Sequence, residues 1–181
     1  MMDRFRECLR VVLNFEGGLS DDPDDRGGRT NLGITQGTLD GARKNGITLI
    51  RTVDALTAEE SAKIYKALYW DRCKCDKLPH RLDLITFDCA VNCGVGTAGK
   101  CLQRGLCDVG RIVAVDGAIG PKTVDAAVDV YMSGKLDKLL RACLDRRMEY
   151  YGNIIKARPS QKKFLRGWTN RVNALARIAG V

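Results

Sequence analysis

Two carboxylates near the N-terminus, Glu16 and Asp25, are the side chains whose spacing and surroundings best suit acid–base chemistry. Glu16 lies four residues after Val12 and seven after Leu9, so in a helix it continues an apolar face. A carboxyl there is partly desolvated and sits at the negative end of the helix dipole, and both effects favour the neutral acid. The alternative is a solvent-facing glutamate that merely ends the helix. Asp25 follows in the loop LSDDPDDRGGRTN, stiffened by Pro23 and freed for tight turns by Gly27 and Gly28. A solvated aspartate in such a loop stays ionised. A protonated acid opposite an ionised carboxylate is the arrangement that hydrolyses glycosidic bonds. Thr30 and Asn31 add a hydroxyl and an amide able to hold a water.

Other chemistries fit less well. DDPDD suggests a calcium loop, but the closing bidentate glutamate of an EF-hand is missing. His80 is the only histidine and has no nucleophile in view, which disfavours a Ser/His or Cys/His device. The eight cysteines, spaced C-x-C, C-x3-C and C-x5-C among Cys73 to Cys107, lack the paired knuckles of a zinc site. No metal or cofactor is expected. Cys89 and Cys93 share a face of an apolar segment, where reduced thiols serve as small core hydrophobes. A disulfide within that i,i+4 pair is disfavoured, because the side chains run side by side.

The elements that must position these groups are nearly all helical. Phe5, Cys8, Leu9, Val12 and Phe15 recur at helical spacing, and Gly17-Gly18 supplies a C-cap. Residues 17–46 are rich in Gly, Asp and Thr, with room for a short hairpin at RTNLGIT. Thr57-x-x-Glu60 is a capping box opening a helix to about Trp70. Arg81 to Cys93 is apolar on nearly every side and predicts a central buried helix ended by Gly94 and Gly96. Further helices are expected at Thr97–Cys107, from Pro121 after the Asp116-Gly117 turn, at Lys135–Lys156 and at Ser160–Ala179. No repeat or long linker divides the chain. A soft boundary near Leu78-Pro79 separates a catalytic N-terminal lobe, 1–78, from a helical lobe, 79–181, within one compact unit.

Of the 181 residues 45% are hydrophobic and 29% charged, enough for one folded domain with a core. No apolar run reaches the ~20 residues of a membrane span, and Arg4, Arg6, Glu7 and Arg10 interrupt any signal-peptide core. Synthesis in the cytoplasm is the expectation. The net charge of +8 is concentrated in the C-terminal part: Lys135 to Val181 holds twelve Lys and Arg against three acids. Lys156, Arg158, Lys162, Lys163, Arg166, Arg171 and Arg177 interleave with Phe164, Leu165, Trp168, Val172 and Leu175. The apolar set should dock and leave the cations outside, facing an anionic wall polymer or lipopolysaccharide; a plain solvated face is the alternative.

Motifs along the chain resemble one family. EGG followed by DP-x-D-x-GG-x-TN-x-GIT, IYKALYWDRCKCDKLP, FDCAVNCGVGTAGKCLQ, VDGAIGPKTVDA and PSQKKFLRGWTNRV are similar, in order, to the glycoside hydrolase family 108 N-acetylmuramidases and their peptidoglycan-binding half, from about Phe15 to Val172. The resemblance implies an α+β, mainly helical, lysozyme-like fold with a small β-hairpin or sheet beside the catalytic cleft. It puts the catalytic acid on Glu16, its loop partners on Asp25 and Thr30, and a loop-shaping aspartate on Asp22. Asn31, Gln36, Tyr69, Trp70 and Asn92 become candidates for substrate contact, with core packing the alternative for Tyr69 and Trp70. Leu19, Arg26 and the many cysteines, Cys93 among them, depart from the family pattern without removing a catalytic group.

The implied activity is that of an endolysin cutting the β-1,4 bond between N-acetylmuramic acid and N-acetylglucosamine. Glu16 protonates the leaving oxygen, and a water held by Asp25 and Thr30 attacks with inversion; a retaining route with Asp25 as nucleophile is the variant. Carboxyl separations of ~6.5–9.5 Å and ~5–5.5 Å distinguish the two. The implied partner is peptidoglycan, reached by a monomer after holin-type release. A non-catalytic peptidoglycan-binding module is the competing class, and a nucleic-acid-binding protein a third, which the lack of a recognition motif and the few aromatics disfavour.

Overall fold

The computed structural model describes residues 3–16 and 30–181, and for Glu16 the backbone alone. The chain divides into two compact units, residues 1–71 and 72–181. The break falls between Asp71 and Arg72, ahead of Leu78-Pro79. The fold is mainly helical with one small antiparallel sheet. No helix among the described residues is long and apolar enough to cross a membrane.

In the first unit α1 (Arg4–Glu16) buries Phe5, Cys8, Leu9 and Val12. The rings of Phe5 and Trp70 pack edge-to-face with centroids 5.5 Å apart. The expected C-cap at Gly17-Gly18 lies outside the described residues. The hairpin forms where RTNLGIT predicts it: β1 (Thr30–Asn31) pairs with β2 (Ile34–Thr35), Thr30 opposite Thr35 and Asn31 opposite Ile34. Leu32 and Gly33 make the turn with φ of 51° and 74°, the primed geometry that matches strand twist and that glycine adopts without strain. A helix that the composition of residues 17–46 concealed follows directly. In α2 (Gln36–Lys44) two glycines lower helix propensity, but Thr35 caps the first turn by accepting from Thr38 N, and Leu39 and Ala42 are buried. Thr57 caps α3 (Ala58–Tyr65), which runs into a π-helical turn over Lys66–Trp70. The capping box is half used. Glu60 N donates to Thr57 Oγ1 at 3.2 Å, while the Glu60 carboxylate takes the Thr48 hydroxyl and Lys63.

In the second unit α4 (Leu82–Cys93) is the buried helix, with every residue from Leu82 to Ala90 inside. Gly94 breaks the chain at φ 88°, and α5 (Val95–Asp108) restarts at once, so Gly96 lies within a helix instead of ending one. α6 (Pro121–Met132) begins at its proline, and α7 (Leu136–Ala157) packs against both α5 and α4. A short 3-10 stretch over Pro159–Phe164 leads into α8 (Leu165–Ala179). Trp168 of α8 stacks on Tyr151 of α7 at 4.6 Å.

All eight cysteines are free thiols. Cys89 is in the core as expected, whereas Cys93 is half-buried at the end of α4, where the helix emerges. The Cys89 thiol is pushed up by its hydrogen bond with Cys101 and by burial, and burial pushes up Cys143, so these two remain protonated core groups.

Candidate functional site

Glu16 is the last residue of α1. Its side chain, and Asp22 and Asp25 entirely, lie outside the described residues, as do Leu19 and Arg26. The structure does place the hairpin that follows them. Asn31 Nδ2 donates to Val53 O at 2.8 Å. Gln36 accepts from Val53 N at 3.2 Å and donates to Arg51 O at 2.8 Å and to Asp40 at 3.0 Å. The two amides therefore clamp the chain at Arg51–Val53 on either side of the hairpin, and both Gln36 amide hydrogens are engaged. The Tyr65 hydroxyl holds the turn from α3, donating to Leu32 O at 3.2 Å. The result is a two-residue-per-strand sheet that would be unstable alone but is pinned at three points, with Thr30 at its entrance.

Trp70 corrects the sugar-contact expectation. It is 0% exposed, with its ring against Phe5, so no indole face is open to a pyranose. Tyr69 is half-buried, its ring 5.8 Å from that of Tyr65.

Asn92 belongs to the second unit and ends in solvent. Its Oδ1 accepts from the Tyr151 hydroxyl at 2.6 Å, Arg147 Nη2 at 3.2 Å and Cys93 Sγ at 3.3 Å. A guanidinium only donates, so the atom facing Arg147 is the oxygen. The Asn92 amide nitrogen is thereby left without a partner among the described residues.

Behind Asn92 lies a buried charge cluster that sequence reasoning missed. Asp88 is 0% exposed and takes Arg147 Nη1 at 2.6 Å and Arg171 Nη2 at 2.8 Å. Arg147 Nε also donates to the Tyr151 hydroxyl at 2.8 Å. Burial opposes the charge on Arg147, but the Asp88 carboxylate outweighs it and holds the guanidinium above its ordinary range; burial also raises the Tyr151 phenol. Arg171 corrects a second expectation. Assigned to the outer, cationic face of the last helix, it is 9% exposed and turned inward, because a carboxylate buried on α4 requires compensating charge. The signal was available: an aspartate between Phe87 and Cys89 on a buried, largely apolar helix needs a partner. Lys162, Lys163 and Arg166 do remain outside.

A family model described as Glycosyl hydrolase 108 matches residues 9–94, and one described as Predicted Peptidoglycan domain matches 97–173. The solved structure of Brucella abortus SagA is 33% identical, with a TM-score of 0.77, covering 97% of this chain and 92% of that one. The chain belongs to the glycosyl hydrolase 108 family. As a family-108 member it is a glycoside hydrolase with a lysozyme-like α+β fold, and peptidoglycan is its partner. No protein with a curated description matches the chain. The two matches divide this hydrolase at Gly94 to Thr97, so α4 with Asp88 and Asn92 falls in the hydrolase match, whereas Arg147, Tyr151 and Arg171 fall in the peptidoglycan match. Among the described residues no group of His, Cys, Asp or Glu could hold a metal.

Proposed function

We propose that the protein is an N-acetylmuramidase of the endolysin type, hydrolysing the β-1,4 bond from N-acetylmuramic acid to N-acetylglucosamine, with Glu16 as general acid. The observation that carries this reading is the family-108 match over residues 9–94, with Glu16 closing α1 just ahead of the pinned hairpin. Glu16 protonates the leaving oxygen. Asp25 and Thr30 order the water that attacks C1 from the opposite face, so the anomeric configuration inverts. Asn31 stands one residue past Thr30, with its Nδ2 fixed on Val53 and its oxygen available to that water or to an N-acetyl group. Gln36 and Tyr69 act by holding the sheet and the α3 end. Asn92 presents its amide nitrogen to a substrate carbonyl. The enzyme works as a monomer on the wall after holin-type release from the cytoplasm, and its exposed C-terminal lysines and arginines hold it near anionic wall polymer or lipopolysaccharide.

The test is digestion of purified murein followed by mass spectrometry of the reduced products. New reducing ends on N-acetylmuramic acid support the assignment; ends on N-acetylglucosamine, or anhydro products, reject it. NMR of the first anomer released separates inversion from retention.

A further inference from the structure

The second unit carries an open groove of about 1120 Å³ that none of the residues above uses. One side is the irregular stretch 111–114, the other is α6, and Gln103 braces the wall. Gln103 is buried. Its Nε2 donates to Asp116 Oδ1 at 2.7 Å and to Ala118 O at 3.0 Å, and its Oε1 accepts from Gly117 N at 2.8 Å. The wall is closely fitted, since a Cβ on Gly99 would stand 2.1 Å from the Gly117 carbonyl oxygen. The groove is thus a built part of the fold.

Its lining defines a ligand. Arg111 N bonds back to Leu106 O and Val113 O accepts from Cys107 Sγ, but the N–H groups of Ile112, Val113 and Ala114 have no partner among the described residues. An exposed run of unpaired N–H donors is what the carbonyls of an extended peptide pair with. Small apolar side chains line it as well: Ile112, which is 85% exposed, with Val113, Ala114 and Ala126. Charges of both signs line the groove: Asp125 and Asp129, one turn apart on α6, and Arg111 and Lys122. Arg111 reaches Asp129 only at 3.8 Å, and Asp125 has no charged partner among the described residues. No aromatic ring lines the groove, so it lacks the flat apolar face on which a sugar packs.

Unpaired main-chain donors, small apolar side chains and mixed charge suit a short zwitterionic peptide with small side chains. Peptidoglycan carries such a peptide on its muramyl residues, built of alanine, glutamate and a diamino acid. We propose that this groove holds the peptide stem of peptidoglycan, the diamino acid's ammonium group lying between Asp125 and Asp129 and the stem carboxylates against Arg111 and Lys122. The proposal rests on the peptidoglycan reading above and assigns the wall-binding step to the peptide instead of the glycan.

The experiment titrates the isotope-labelled full chain with a soluble tripeptide stem, following backbone amides by NMR, and compares retention on intact sacculi with retention on sacculi stripped of stems by an amidase. Shifts should cluster in residues 111–129, and intact sacculi should retain more protein. Asp125→Asn with Asp129→Asn should weaken tripeptide binding about tenfold, as loss of a charge-assisted contact implies. Ala114→Pro removes one exposed donor that no native bond uses and should weaken it too, with an unchanged urea midpoint confirming the fold. Unmoved amides, equal retention on both sacculi, or equal shifts from an unrelated peptide of the same charge each overturn the proposal. If murein is still cleaved in those cases, only the groove assignment falls; if murein is neither bound nor cleaved, the peptidoglycan reading falls with it.

Discussion

The Tyr151 hydroxyl donates to Asn92 Oδ1 at 2.6 Å and, beside Arg147 Nη2 at 3.2 Å, holds the oxygen inward so that the amide nitrogen meets solvent. Tyr151 is itself aimed by Arg147, so the order runs from a buried ion pair to an exposed amide nitrogen. Tyr151→Phe removes the donor and leaves Arg147 Nε unpaired, at about 1–3 kcal/mol of stability. It should raise KM on murein several-fold and leave kcat near wild type, because Asn92 Oδ1 then loses its shortest bond. Asn92→Ala should do the same, and the double variant should be no worse than the worse single one. Fully additive effects would show that the two residues act independently.

Asp88 carries the charge balance of the second unit. Asp88→Ala leaves two guanidinium groups buried without their anion, so it should cost about 3–5 kcal/mol, read as a lowered urea midpoint with unchanged slope. A loss below about 1 kcal/mol, the scale of an exposed pair, would mean that solvent reaches the cluster.

Glu16→Gln keeps the shape of the side chain and removes its proton. Activity should fall by about 10²–10⁴-fold, the usual worth of general acid catalysis, while the unfolding midpoint stays in place. Wild-type turnover in the folded variant would falsify the assignment.

Asp25→Ala and Thr30→Ala should each lower turnover more than they weaken murein binding, because ordering a water matters mainly in the transition state. A variant that loses binding and keeps turnover identifies that residue as a substrate anchor.

Replacing Lys162, Lys163 and Arg166 with glutamine should raise KM on whole walls, most at low salt, because attraction between exposed charges is screened over ~8 Å at physiological ionic strength. Hydrolysis of a short soluble oligosaccharide should not change. Equal lysis by variant and wild type across salt concentrations would leave these cations as a solvated face.

What could be read from the sequence followed local rules. The 3.6-residue period marked α1 and α7, the largely apolar run marked α4, and the turn residues of RTNLGIT gave a hairpin with its pairing confined to four residues. Two glycines hid α2, because its stability comes from the Thr35 cap and from burying Leu39 and Ala42 rather than from propensity. Arg171 was misplaced for a similar reason. A helical period says which face is inside, but only the position of Asp88, 83 residues away in the chain, decides that a cation joins it. At the site, motif spacing pointed to Glu16, Asp25 and Thr30, whereas the support for Asn92 is tertiary and leaves no local trace.

The Asp88 cluster also sets a timetable for synthesis. Its partners lie 59 and 83 residues further along the chain, so at ordinary elongation rates Asp88 leaves the peptidyl-transferase centre about 4–17 s before Arg171 is made. During that interval Asp88 has at most one of its two counter-charges, Arg147, and that only once α7 has been made. The buried charge cluster is therefore complete only when translation is nearly finished, and a nascent chain stalled before α8 holds the Asp88 carboxylate with one of its two guanidinium partners.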